Sequence, residues 1–220
     1  MRSRLALTLT ALLVASAMCV ALVEYRIHRT ANPFYRFLVW NLFLAWVPVG
    51  FAVLAHKRAQ RGVDVVVGAL LVLWLLFFPN APYMLTDFIH LGESRLVPVW
   101  YDALMLSSFA WTGLLLGFVS LYLVQFVTRR VVGPAWSWVG VACALGLASF
   151  GVYLGRFVRV NSWDALIRPG SVAHVVRTEL ENPLQHPRLV AVLVALTAFL
   201  LVGYAVLYSF AGMRLELERE

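Results

Sequence analysis

The chain has 220 residues, of which 62% are hydrophobic and 13% charged, with a formal net charge of +7. A mean hydropathy of +0.82 excludes a water-soluble domain with a solvated surface and indicates a polytopic helical membrane protein. The basic balance does not indicate nucleic acid, because the arginines and lysines are scattered among short loops; membrane lipid with anionic headgroups is the simpler partner.

Six apolar runs, over 5–23, 34–54, 65–78, 99–127, 136–154 and 189–210, predict about six spanning helices when judged against about 20 apolar residues per crossing. The expected fold is all-α: a transmembrane helical bundle forming one integral membrane domain over 1–220, since no connection is long enough for a soluble domain. Arg2 and Arg4 before the first run imitate a signal peptide, but the run exceeds a usual signal core and is read as an uncleaved helix. Cys19 and Cys143 lie in apolar spans without a partner ligand at metal spacing and read as small core residues. Arg36 and Asn41 open the second helix, and Pro48 predicts a kink in it.

The third run meets a polar string. Pro79 and Pro82 each lack an amide hydrogen and disfavour helical angles at Phe78 and Ala81, so the chain is expected to turn there. Beyond it, Tyr83, Asp87 and His90 recur at helical spacing with Thr86 beside them, against the apolar Met84, Leu85, Phe88 and Leu91. This predicts a short re-entrant or interfacial helix near 83–91. A carboxylate beside an imidazole orients a histidine base, binds a metal, or satisfies a buried ring. Asp87 and His90 are therefore the candidate catalytic residues. With Glu93 they also form a candidate metal set, which ranks below a structural Asp–His hydrogen bond.

Asp102 falls in the first turn of the fourth helix, where the dipole favours a carboxylate. Gly113 with Gly117, and Gly151 with Gly155, permit close helix approach. Tryptophans near span ends, such as Trp40, Trp100, Trp136 and Trp163, fit an aromatic belt.

The fifth run ends on the second polar string. Arg156 and Arg159 are three apart and predicted to share a helix face, where planar guanidinium forks either take a phosphate or carboxylate or snorkel to headgroups. Asn161, Ser162 and Asp164 follow as helix-end and capping residues. Further on, Ser171 is expected to cap a helix lying on the membrane surface. Its apolar side is Val172, Val175, Val176 and Leu180, and His174, Arg177 and Glu179 form a headgroup face.

An even number of spans puts both termini on one side and both polar strings on the other. The count of arginines and lysines is a tie between the sides. Discounting Arg156 and Arg159 as site residues places both termini in the cytoplasm. The candidate ligand-binding set is then Asn80, Tyr83, Arg156, Arg159, Asn161 and Asp164, gathered with Asp87 and His90 around an anionic ligand. Binding of a lipid headgroup, or docking of a membrane-protein partner, ranks first among functions. A membrane enzyme acting on a lipid or phosphate-bearing substrate through Asp87 and His90 ranks second. A transporter or pore ranks last, because the middles of the spans carry Ser107, Ser108 and Thr112 but no carboxylate, arginine or lysine. The residues identify no cofactor.

Three ordered motifs carry a family resemblance: Asn41 Leu42 Phe43 Leu44 Ala45 Trp46; Phe78 Pro79 Asn80 Ala81 Pro82 Tyr83 with Thr86 Asp87 and His90 Leu91; and Tyr153 Leu154 Gly155 Arg156 Phe157 with Asn161 Ser162 Trp163 Asp164. Together they resemble the bacterial membrane proteins grouped as the domain of unknown function 1361 family. The resemblance implies a multi-pass protein of the bacterial inner membrane. It implies no activity, cofactor or catalytic residue.

Overall fold

In hydrocarbon every backbone N–H and C=O must find its partner within the chain, so each long apolar run closes into a helix. The computed structural model describes residues 2–93, 96–181 and 187–217. In chain order the helices are α1 (Arg2–Thr30), α2 (Phe37–Ala59), α3 (Val65–Phe77), α4 (Asn80–Tyr83), α5 (Val99–Val132), α6 (Pro134–Tyr153), α7 (Asp164–Ile167), α8 (Pro169–Glu181) and α9 (Pro187–Leu217). A 3-10 turn, Phe34–Arg36, leads into α2. A 3-10 helix, Met84–His90, follows α4, and a π-helical turn, Leu154–Val158, extends α6.

Among the described residues, six helical stretches are long and apolar enough to cross a membrane: Arg4–Thr30, Phe34–Ala59, Val65–His90, Val99–Val132, Pro134–Val158 and Pro187–Phe210. Local chemistry sets their ends. Asp64 caps α3 by accepting from the Val67 amide at 3.1 Å and is itself paired with Arg58. Gly133, at φ 83°, ends α5 in a conformation that favours glycine, and Pro134 opens α6 where its missing N–H costs nothing.

The α5 helix runs through the middle of the bundle, against α1, α2, α4, the 3-10 segment and α6, while α9 lies along α6. Between lipid-soluble helices, attraction comes from close packing rather than from expelling water, so small residues decide where helices approach. The segment from Pro79 to Met84 lies in a slot walled by glycine. A Cβ on Gly113 would stand 2.7 Å from Met84 Sδ, and one on Gly117 3.1 Å from Ala81 Cβ. From the α6 side, a Cβ on Gly151 would stand 2.6 Å from Pro79 Cγ, and one on Gly155 3.1 Å from Tyr83 Cε2.

This slot explains why the expected turn at Pro79 and Pro82 does not occur. Phe78 and Pro79 keep right-handed helical angles, and α3, α4 and the 3-10 helix continue as one crossing. The prolines tighten the hydrogen-bond ladder instead: the Ala81 amide reaches Phe78 O at 3.1 Å, and Asn80 Nδ2 donates to Phe77 O at 2.8 Å. The preference of a pre-proline residue for extended angles is outweighed by contact on both sides of the slot. A short helix does form at Met84–His90, as the 3-10 end of the third span.

Two further expectations are corrected. Cys19 is buried beside Thr112, but Cys143 is exposed on the outer side of α6, because a small thiol is as compatible with lipid as with a core. In α8, Val175 and Val176 pack against Tyr153, Leu154 and Leu189 at the ends of α6 and α9, so these two residues of its apolar side face the protein. Glu179 belongs to that contact and not to a headgroup face, since it accepts from Tyr153 Oη at 3.0 Å. The side chain of Leu180 lies outside the described residues.

Candidate functional site

A 3-10 helix repeats every three residues, so Asp87 and His90 follow one another along one side, and the turn at Gly92 brings Glu93 back to His90. Facing them is Arg156, carried on the π-helical turn at the end of α6. The extra residue of a π turn re-aims the side chains around it, and such turns recur at functional sites. Arg159 closes this turn in the left-handed conformation at φ 64°.

Arg156 joins the two polar strings. Its Nη2 pairs with Asp87 Oδ1, its Nε donates to Thr86 Oγ1 at 2.8 Å, and its guanidinium lies over the Tyr83 ring, 4.3 Å from the centroid. Thr86 can accept from Arg156 because its own hydroxyl proton goes to Tyr83 O at 2.6 Å. The other carboxylate oxygen of Asp87 accepts from Asn41 Nδ2 on α2 at 3.1 Å. Asp87 is 1% exposed and Arg156 13%, so the pair is sealed at its acidic end and opens slightly at its basic end.

At that opening stands His90. Its Nε2 is 3.5 Å from Arg156 Nη1, and its Nδ1 is 3.1 Å from Glu93 Oε1. A guanidinium only donates and a carboxylate only accepts, so neutral His90 carries its proton on Nδ1 and turns a lone pair on Nε2 towards the arginine. Phe34 and Phe37 hold the ring edge-on, with centroids 5.8 and 5.1 Å away.

A second ion pair, which sequence reasoning missed, lies behind the first. Arg26 of α1 grips Asp102 of α5 with two bonds, Nε to Oδ1 at 2.6 Å and Nη2 to Oδ2 at 3.2 Å, and the two side chains are 0% and 1% exposed. Asp102 is therefore more than a first-turn dipole partner: it neutralises a buried arginine. The signal was available in spacing, since Cys19, Val23 and Arg26 fall on one helical face. Arg26 stacks on the Tyr35 ring at 4.3 Å, and the Tyr35 hydroxyl donates to His90 O at 2.5 Å.

The structure thus brings Tyr83, Asp87, His90, Glu93 and Arg156 together, and adds Asn41 and Thr86, which were not in the candidate set. It leaves three candidates outside this contact network. Arg159 is exposed. Asn161 and Asp164 bond each other, the Asn161 amide reaching Asp164 Oδ2 at 2.7 Å in an exposed capping turn. The expected shared face of Arg156 and Arg159 fails because the π turn and the left-handed Arg159 break the helical repeat between them. Asn80 acts as a tie: its Nδ2 also donates to Ser162 Oγ at 3.0 Å, joining the strings beside Arg156. Among the described residues no group of three His, Cys, Asp or Glu is placed to hold a metal ion; the oxygens of Asp87 are taken by Arg156 and Asn41.

The sequence model of the family described as "Protein of unknown function (DUF1361)" matches residues 40–203, which is more than half of the chain and includes Asp87, His90, Asp102 and Arg156. No curated protein and no solved structure matches the chain.

Proposed function

This chain belongs to the DUF1361 family, and on that premise we propose that it is a bacterial inner-membrane protein that binds a phosphate-bearing anion, as a lipid headgroup or free, at the edge formed by Arg156 and His90. The observation that carries this reading is the guanidinium itself. It is fixed on three sides by Asp87, Thr86 and Tyr83, while Nη1 makes, among the described residues, only the long 3.5 Å contact to His90, and the side chain is 13% exposed. A charged donor held in place before the ligand arrives loses little freedom on binding. An anionic oxygen entering between Nη1 and Nε2 accepts from both once His90 is protonated, and Glu93 steadies the resulting imidazolium. Asp87 already neutralises Arg156, so binding here relies on directed hydrogen bonds more than on net charge.

Both termini lie in the cytoplasm in this proposal, and the Arg156 edge faces the opposite side. Among the described residues, the arginines with buried aspartate partners, Arg26 and Arg156, belong to the site's end, which favours a basic end at Lys57, Arg58, Arg61, Arg129 and Arg130. An enzyme is the second reading. The Glu93 to His90 contact orients an imidazole as in a base, but Nε2 is aimed at a cation rather than at a nucleophile.

Native mass spectrometry of the solubilised protein tests the proposal, with phosphatidylglycerol, phosphatidylcholine or inorganic phosphate added in separate arms. A phosphatidylglycerol adduct weakened in folded Arg156→Lys and His90→Gln, and unaffected by inorganic phosphate, supports a lipid headgroup; displacement by inorganic phosphate supports a free anion. Equal retention of both lipids in wild type and both variants refutes the site.

A further inference from the structure

The Arg26–Asp102 pair lies deeper than the opening, with both side chains almost completely buried, yet its geometry leads to His90. Two parallel bonds to Asp102 fix the plane of the Arg26 guanidinium. The Tyr35 ring, itself fully buried, lies on that plane at 4.3 Å, and this aims its hydroxyl at His90 O, 2.5 Å away. His90 is the last residue of its 3-10 helix, where a carbonyl has no partner inside the helix. The chain then turns at Gly92, φ 82°, and returns Glu93 to the imidazole.

We infer that Tyr35 is a positioning residue for the binding edge: it anchors the His90 backbone to the α1–α5 ion pair, and so sets the gap between His90 Nε2 and Arg156 Nη1. The inference rests on the proposed role of that edge. His90 is held from two independent directions. Its carbonyl is tied to α1, α2 and α5 through Tyr35, and its ring is held between Glu93 and the α6 arginine. Without the Tyr35 hydroxyl, the carbonyl keeps, among the described residues, the Glu93 amide at 3.3 Å, the ring is free to shift within its phenylalanine walls, and the imidazole no longer stands at a fixed distance from Arg156 Nη1.

The test is nitrogen NMR of histidine-labelled protein in micelles, with His90 assigned through His90→Gln, alongside phosphatidylglycerol titration. Tyr35→Phe removes the hydroxyl and keeps the ring over Arg26. Tyr101→Phe is the matched control, because Tyr101 makes the same kind of bond, to Leu22 O at 2.8 Å, at the same end of the bundle. Wild type and Tyr101→Phe are expected to show His90 protonated on Nδ1. Tyr35→Phe is expected to shift both His90 ring-nitrogen signals, as the contacts to Glu93 and Arg156 loosen, and to bind phosphatidylglycerol about fivefold more weakly, because His90 is no longer held in place before the ligand arrives, a cost on the scale of one neutral hydrogen bond. Arg26→Lys, which keeps the charge beside Asp102 but loses the planar stack, is expected to move the same signal. An unchanged His90 spectrum in Tyr35→Phe, or an equal change in Tyr101→Phe, overturns the inference. A wild type that binds no phosphatidylglycerol while the Tyr35→Phe spectrum still moves overturns the binding reading and leaves the hold of Tyr35 on His90 supported.

Discussion

Removing the Asp87–Arg156 pair one side at a time, and then together, separates its structural role from its role in binding. Arg156→Met leaves Asp87, 1% exposed, with Asn41 as its remaining hydrogen-bond donor, which places the loss near the upper end of the range for a broken buried pair, about 5 kcal/mol. Asp87→Ala costs less, about 3 kcal/mol, because Arg156 keeps Thr86 Oγ1, the Tyr83 face and its slight opening. In the double variant neither half of this pair is left as an unpaired buried charge. Its residual cost is the stranded Asn41 amide, about 1–3 kcal/mol, against roughly 8 kcal/mol if the two losses simply added. Unfolding free energies measured by titrating SDS into mild detergent check this, with circular dichroism as the signal. The double variant is expected to be more stable than Arg156→Met and to fold without binding phosphatidylglycerol. Losses that add across the cycle refute the reasoning, because they mean that the two groups do not share a sealed environment.

The glycine slot makes an equally specific demand: Gly151→Ala presses a methyl against the rigid Pro79 ring, and the expected loss is about 2 kcal/mol after the helix-propensity gain of alanine. Gly146→Ala in the same helix meets no atom within 4 Å and is expected to be neutral or slightly stabilising, so equal unfolding free energies for the two variants contradict the slot. The proposed orientation is checked in intact cells with both native cysteines replaced by alanine: a membrane-impermeant maleimide is expected to label Glu93→Cys and not Arg61→Cys, and the reverse pattern inverts the topology.

Hydrophobic run length by itself determined the six helices, because in lipid a backbone has few ways to satisfy its hydrogen bonds and an apolar run of spanning length has little alternative to a helix. The same reasoning put the two polar strings at one end, since alternate loops of a six-helix chain share a side. Residue type identified Asp87, His90, Glu93 and Arg156 as the groups that carry chemistry.

Tertiary structure decided which of them meet. Arg159 and Arg156 look equivalent at three-residue spacing, but the π turn and one left-handed residue turn Arg156 inward and leave Arg159 exposed. Asn41 and Arg26 sit far from the strings in sequence, and only the close approach of α1, α2 and α5 makes them partners of Asp87 and Asp102. Pro79 and Pro82 predict a turn on local preference, yet the glycine walls of α5 and α6 keep the chain helical. Local rules act over one helical turn, whereas a buried charge takes its partner from whichever helix the packing brings beside it.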